Sequence, residues 1–289
     1  MTAGYLTGVR LGQALITALG AYFLASYSWK LFFLVTGLIP LVWLLPWFGF
    51  LERWEKKQED EAREPVPTDS SRKKDSFIEG LSLLKDRTVF GIFLGFFAYD
   101  YVWFVFINWL PGYLVLERKF TPGEMGVYSS VPYLAMSVII LLSGAISDLL
   151  IRRGLSEIRV RKTFIVVGLC IGLLIVPAGL VEDKMTAVWL LTISLCGLGL
   201  CSPNTWTLTQ AVCSKTRVGT VSGIQNFGGN LGGILAPALT GYIAHTQSFA
   251  LALVIAGALL VVGIFAYIVL IGPQALAENV EQKQATALA

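Results

Sequence analysis

The sequence has little charge for its length. Of its 289 residues, 14% are charged and 55% are hydrophobic, whereas soluble domains carry about 25% charged residues. The hydrophobic residues stand in blocks of roughly twenty, the length that an α-helix needs to cross about 30 Å of hydrocarbon. This composition excludes a water-soluble globule and predicts an all-α, polytopic membrane protein.

The sequence is also poor in residues that build catalytic or metal sites. It has four cysteines and one histidine. Each cysteine lies inside or beside an apolar block, which is typical of a small packing residue, and His245 falls at the predicted end of a span, where we favour an interfacial role. Because no nucleophile, base or metal-ligand cluster stands in a suitable context, we expect no enzymatic activity, cofactor or metal.

Hydropathy windows of about nineteen residues predict eight transmembrane helices. This number is even, so both termini are expected on one side of the membrane. The first span has no basic leader before it, which argues against a removable signal peptide. The predicted spans are 4–26, 29–50, 89–115, 124–148, 162–182, 188–212, 218–243 and 248–271.

One connection between spans is long and charged. Residues 51–88 hold ten acidic and nine basic side chains, and so charged a segment cannot bury a core. We expect a solvated linker that is partly helical near 77–84. The predicted organisation is a helix pair at 1–51, the linker at 52–88, a six-helix bundle at 89–272 and a tail at 273–289.

Lysine and arginine are distributed unequally over the two sides of the predicted spans. Eighteen of the 22 lie on the side of the linker, the termini and the loop after the fourth span. By the positive-inside rule this side faces the cytoplasm. Membrane orientation thus explains the net charge of +3, and no nucleic-acid partner is expected.

A charged motif follows the fourth span. Gly144, Ser147, Asp148, Arg152 and Arg153 form the pattern G-x-x-S-D-x-x-x-R-R. Asp148 and Arg152 are four residues apart on one helix face, which predicts an ion pair between them; ordinary positive-inside charge is the alternative. The pattern resembles the loop signature of the major facilitator superfamily, and the charged linker resembles that family's central cytoplasmic loop.

The third and seventh spans extend this resemblance to the family's anion:cation symporter branch. Residues 224–233, IQNFGGNLGG, resemble part of its eleventh helix, and Asn204 and Trp206 match its tenth. Residues 8–15 resemble its fifth helix, so the chain resembles helices 5 to 12 of a twelve-helix fold. The third span resembles the pattern Y-x-x-Y-x-F-x-x-W-L-P-x-Y-L-x-x-E-R at Tyr101, Phe106, Trp109, Leu110, Pro111, Tyr113, Leu114, Glu117 and Arg118.

The resemblance implies a function. Such symporters move organic anions, for example sugar acids and other carboxylates, together with protons, and their two halves rock about a site near the middle of the membrane. We therefore expect proton-coupled symport in a bacterial inner membrane, by a monomer if the protein is full length. The family's first four helices have no counterpart in this sequence. This leaves two alternatives, a non-transporting fragment or a packing partner of a separate amino-terminal half. A polytopic membrane enzyme or sensor is a third alternative, against which the lack of a catalytic cluster argues.

Polar side chains inside the apolar spans are the candidate substrate contacts. Amide and indole donors suit an oxygen-rich anion because they donate hydrogen bonds without a fixed charge. Interhelical hydrogen bonding is the alternative for each asparagine. The resemblance implies that Trp206 and Asn226 in particular face the cavity. The candidate contacts are Trp206, Asn226, Asn204, Asn230, Gln225, Tyr101, Tyr99, Asn108 and Arg10.

Two charged residues inside spans depart from the branch's pattern. Asp100 falls near the centre of the third span, where a carboxylate is costly, so it is a candidate for taking up and releasing a proton. A structural hydrogen bond and a water-facing position are the alternatives. Arg10, in the first span, has donors for a bidentate contact to a carboxylate, but we favour snorkelling to the cytoplasmic surface.

Glycines at spacing four predict faces on which helices approach closely. Gly4, Gly8 and Gly12 form one such face, and the pairs Gly219 with Gly223 and Gly228 with Gly232 form others. The alternative is that glycine is merely common in membrane helices.

Overall fold

A computed structural model describes residues 2–50, 82–214 and 217–272 of the protein, and its regular structure in these ranges is helical. The linker prediction for 51–81 and the tail at 273–289 lie outside the described residues. A 3-10 turn, Leu83–Lys85, precedes the helix that begins at Arg87, and a π-helical turn, Ala266–Leu270, follows the helix that ends at Phe265. The α-helices are α1 Thr2–Ser26, α2 Trp29–Val42, α3 Arg87–Leu116, α4 Pro122–Arg152, α5 Glu157–Gly172, α6 Ile175–Leu180, α7 Lys184–Val212, α8 Val218–Thr246 and α9 Phe249–Phe265.

Helices occur at all eight predicted positions, and six stretches in the described ranges are long and apolar enough to cross a membrane. The helices α1 and α8 lie at predicted spans but do not belong to this group, so eight membrane crossings remain a prediction. The six stretches are Trp29–Phe50, Arg87–Leu116, Pro122–Arg152, Glu157–Leu180, Lys184–Val212 and Phe249–Leu270.

The helix ends follow from local capping. Thr121 and Glu124 form a capping box before α4, with Pro122 at the first helical position, and this arrangement satisfies free backbone N–H groups. Asp183 caps α7, and the hydrogen bonds that it accepts from Thr186 hold its pKa below the usual range. Gly154, with φ of 93°, ends the turn after α4 in a conformation that favours glycine.

The helix α3 lies at the centre of the bundle. It packs on α8 and α9, while α7 packs on α4 and α5. The glycines of α8 allow its backbone to approach α3, since a Cβ atom at Gly232 would lie 2.9 Å from both the Phe97 oxygen and the Tyr101 nitrogen. Gly228 is similarly confined against Phe93.

The helix pair α1–α2 is less enclosed than the bundle. α1 packs on α4, and α2 contacts α1, where Phe32 lies against Gly20. No residue of α2 is buried among the described residues. A Cβ atom at Gly4, Gly8, Gly12, Gly219 or Gly223 would meet nothing within 4 Å. Of the predicted glycine faces, the described chain thus covers only the one at Gly228 and Gly232.

Candidate functional site

Three helices of the bundle bring polar and aromatic side chains together halfway along α3. Gly229 of α8 leaves room for the carboxylate of Asp100 and the ring of Phe96, both of which a Cβ atom at this position would overlap. Trp206 of α7 meets Phe96 edge to face, with ring centroids 5.2 Å apart. Asp100, Trp206 and the middle of α8 therefore surround one point of the bundle.

The amide groups of α8 lie beside this point on the open side of the helix. Asn226 and Asn230 are exposed and four residues apart, so they share one face. The Asn230 amide donates to the Asn226 carbonyl oxygen at 2.8 Å. A polar face inside an apolar span is costly in lipid and therefore indicates a water-filled cavity or another helix.

Other predicted contacts lie at the edge of this face or behind it. Asn108 is exposed in the carboxyl-terminal third of α3, and its amide donates to the Phe104 carbonyl oxygen at 2.8 Å. Gln225 is fully buried and accepts a 2.6 Å hydrogen bond from Thr209, which ties α8 to α7. Tyr99 and Tyr101 are 2% and 1% exposed, so neither ring faces the open side.

Arg10 extends from α1 into the bundle, contrary to the snorkelling that we favoured. It is 8% exposed, and its guanidinium carbon lies 3.4 Å from the centroid of the Trp103 ring on α3. Asp100 lies three residues before Trp103 on the same face of α3, near this charge. The indole face attracts the guanidinium and offsets part of the cost of burying its charge. Snorkelling was therefore the wrong prediction for this side chain.

Asn204 lies away from the candidate site, in a buried polar cluster at the predicted cytoplasmic end. Its amide donates to Ser143 at 2.8 Å, and its oxygen accepts from Arg161 at 3.4 Å. Arg161 also donates to Ser147 at 2.9 Å. These bonds join α4, α5 and α7, which favours the interhelical alternative for Asn204 over a substrate contact.

The ion pair predicted within the loop motif forms with a different partner. Asp148 pairs with Arg161 of α5 at 2.8 Å, and not with Arg152. Arg161 is buried, so its charge requires a carboxylate within reach, whereas Arg152 and Arg153 are exposed and solvated. Sequence reasoning missed Arg161 because an arginine in a cytoplasmic loop fits the positive-inside rule equally well.

A second arginine that makes several hydrogen bonds lies at the predicted outer end of the bundle. Arg118 donates to the Tyr113 hydroxyl at 2.6 Å, and to the carbonyl oxygens of Ala178 at 2.8 Å and Glu182 at 3.2 Å. Both residues belong to the symporter-like stretch, which begins in α3 and extends into the turn after it. Their contacts hold the end of α6, so this part of the stretch has a structural role.

Comparisons with known proteins agree with this architecture. A D-galactonate transporter of Escherichia coli O6:H1 is 34% identical over 281 residues, which cover 93% of this chain and 65% of the relative. A hexuronate transporter of Bacillus subtilis is 31% identical and covers 92% and 64%. A probable galactarate/D-glucarate transporter of Escherichia coli K12, GarP, is 31% identical over 66% of this chain and 43% of the relative.

The chain thus spans about 65% of the length of the first of these relatives. Among solved structures, the crystal structure of the peptide transporter POT in complex with sulfate matches with a TM-score of 0.53 and 17% identity, over 70% of this chain and 43% of that chain. This likeness concerns the fold. Residues 1–237 match the model of the Major Facilitator Superfamily. The chain therefore belongs to the major facilitator superfamily, whose members are membrane transporters and not enzymes.

Proposed function

We propose that the protein is a secondary active transporter that moves an organic anion, a sugar acid or related carboxylate, with protons by alternating access. The observation that carries the proposal is a buried cation, Arg10, and a half-buried carboxylate, Asp100, beside the open amide face of Asn226 and Asn230. Sugar acids are rich in hydroxyl oxygens and carry a carboxylate, so this combination of groups matches their chemistry. The names of the relatives support the same class of solute.

Each side chain has a role in this proposal. Arg10 pairs with the carboxylate of the solute, and Asn226, Asn230 and Trp206 hydrogen-bond its hydroxyl groups or stack against it. Asp100 takes up the proton, because a carboxyl group inside the bundle is costly to keep ionised. In this proposal the chain has eight spans with both termini in the cytoplasm, and these groups lie near the midplane. The six-helix bundle rocks against α1 and α2 about this point.

Uptake of labelled solutes tests the function directly. Cells expressing the protein receive D-galactonate, a hexuronate or D-glucarate, with and without a protonophore that collapses the proton gradient. We expect accumulation of at least one of these anions and its loss with the protonophore. If none accumulates above the level of cells without the protein, the proposed function is wrong.

Site variants test the roles within the same assay. Asn226→Ala and Trp206→Ala are expected to abolish uptake at unchanged membrane expression. Asp100→Asn is expected to remove the dependence on the pH gradient, because the amide cannot exchange a proton at this depth. The matched control is Ile234→Ala, since Ile234 is 70% exposed on α8 and has no polar group. Wild-type uptake by both Asn226→Ala and Trp206→Ala contradicts the site assignment.

A further inference from the structure

The contact between Arg10 and Trp103 joins α1 to the bundle. The guanidinium carbon lies 3.4 Å from the ring centroid, and the two side chains are 8% and 5% exposed. In the described ranges no carboxylate forms an ion pair with this guanidinium, and its Nε has no hydrogen-bond partner. A buried cation without a carboxylate is costly, so the indole face must offset part of that cost.

With its carbon 3.4 Å above the ring centroid, the guanidinium presents its face to the indole, and within the described ranges its Nε donor has no partner. All five N–H bonds of an arginine lie in the plane of the guanidinium group. Stacking this plane on a ring uses its face and leaves its edge available for two parallel hydrogen bonds to a carboxylate. A lysine ammonium has no such plane and cannot be presented in the same way.

The indole is itself held in place by a second aromatic residue. Trp103 meets Tyr133 of α4 edge to face, with ring centroids 6.0 Å apart. The Tyr133 hydroxyl donates to the Phe106 carbonyl oxygen at 3.0 Å, which fixes that ring. The Trp103 ring under Arg10 is therefore held by contacts with both α3 and α4. Asp100, Tyr99 and Tyr133 are the titratable groups on which the Arg10 charge acts.

We infer that Trp103 is a positioning residue for anion recognition, whose indole holds the Arg10 guanidinium apart from Asp100 with its edge free for one carboxylate of the solute. This inference rests on the proposed function, which it deepens. Trp103 does not touch the solute in this arrangement; it acts through Arg10. Its loss therefore lowers the affinity for carboxylates and leaves the turnover of bound solute unchanged.

Uptake kinetics with D-galactonate as the probe separate the affinity for the solute from its turnover. Trp103→Leu is expected to raise KM about tenfold with little change in the maximal rate, as a buried cation–π contact predicts. In the Arg10→Met background the same substitution is expected to change KM no further, because the stacked partner is already absent. Trp109→Leu is the matched control, since Trp109 lies on the same helix and donates to the Pro237 carbonyl oxygen at 3.1 Å. It removes packing and is expected to leave KM unchanged.

Fluorinated tryptophans placed at position 103 keep the shape of the side chain if Trp103→Leu fails to fold. Each added fluorine weakens the negative potential of the ring face, so KM is expected to rise with the number of fluorine atoms. A KM that stays constant across this series, or that rises equally in the Arg10→Met background, overturns the inference while uptake by the wild type upholds the proposed function. Absence of any saturable carboxylate uptake by the wild type overturns both.

Discussion

Two arginines of the protein are buried to nearly the same degree but differ in their partners. Arg10 is 8% exposed and Arg161 is 7% exposed. Arg161 pairs with Asp148 at 2.8 Å and Glu157 at 3.5 Å, whereas Arg10 stacks on an indole and, within the described ranges, has no carboxylate partner. A charge that is paired with carboxylates of its own chain holds the structure together. A buried charge without such a carboxylate is available to a ligand.

The positions of the two arginines agree with this difference. Arg161 joins α5 to α4 and α7, all within the six-helix bundle. Arg10 lies between α1 and the bundle, at a boundary that must move if the protein works by alternating access. Tight internal ion pairs suit the position of Arg161. An exchangeable partner suits the position of Arg10, because contacts at this boundary have to change during the transport cycle.

Replacing Arg161 is expected to produce the largest loss of stability. Arg161→Met removes the ion pairs and leaves Ser147 and Asn204 without a donor, so we expect the free energy of unfolding to fall by about 3 kcal/mol. Unfolding in mixed detergent followed by circular dichroism measures this change. Arg152→Met is the matched control and is expected to stay within about 0.5 kcal/mol, because Arg152 is exposed. Equal effects of the two variants contradict the assignment of Asp148 to Arg161.

Two glycines, Gly232 and Gly8, differ in how closely another helix packs against them. Gly232→Ala places a Cβ atom 2.9 Å from backbone atoms of α3, so we expect a loss of about 1–3 kcal/mol in the same unfolding assay. Gly8→Ala meets nothing within 4 Å and is expected to be neutral or to stabilise the helix by about 0.5 kcal/mol. A similar loss in both variants means that the face at Gly8 is covered in the intact protein.

The sequence predicts the positions of the helices well, because long apolar runs indicate helices whatever their neighbours are. It does not identify contacts between helices. The i to i+4 rule considers one helix at a time and paired Asp148 with Arg152, whereas the actual partner Arg161 comes from the next helix. Glycine spacing likewise detects a face but not whether another helix covers it, as Gly8 and Gly232 illustrate.

The residues of the candidate site also differ in how readily the sequence singles them out. Asp100, Trp206, Asn226 and Asn230 are candidates because polar groups in apolar spans are costly, and their roles in the site stay predictions. Asn204 has the same character, but its hydrogen bonds, which the sequence does not show, favour a structural role. Trp103 gave no signal, because an aromatic residue in a membrane helix is unremarkable until the cation above it is seen.

Of the two buried arginines, Arg10 is expected to contribute less to stability. Arg10→Met removes a cation–π contact worth about 1 kcal/mol, but it also removes the cost of burying an unpaired charge. The two terms oppose each other, so the free energy of unfolding is expected to change by less than about 1 kcal/mol, well below the effect of Arg161→Met. Both variants replace a buried arginine with methionine, and each therefore serves as the other's control in the unfolding assay. If Arg10→Met lowers the free energy of unfolding as much as Arg161→Met does, Arg10 has a structural role, and its availability to a solute carboxylate is excluded.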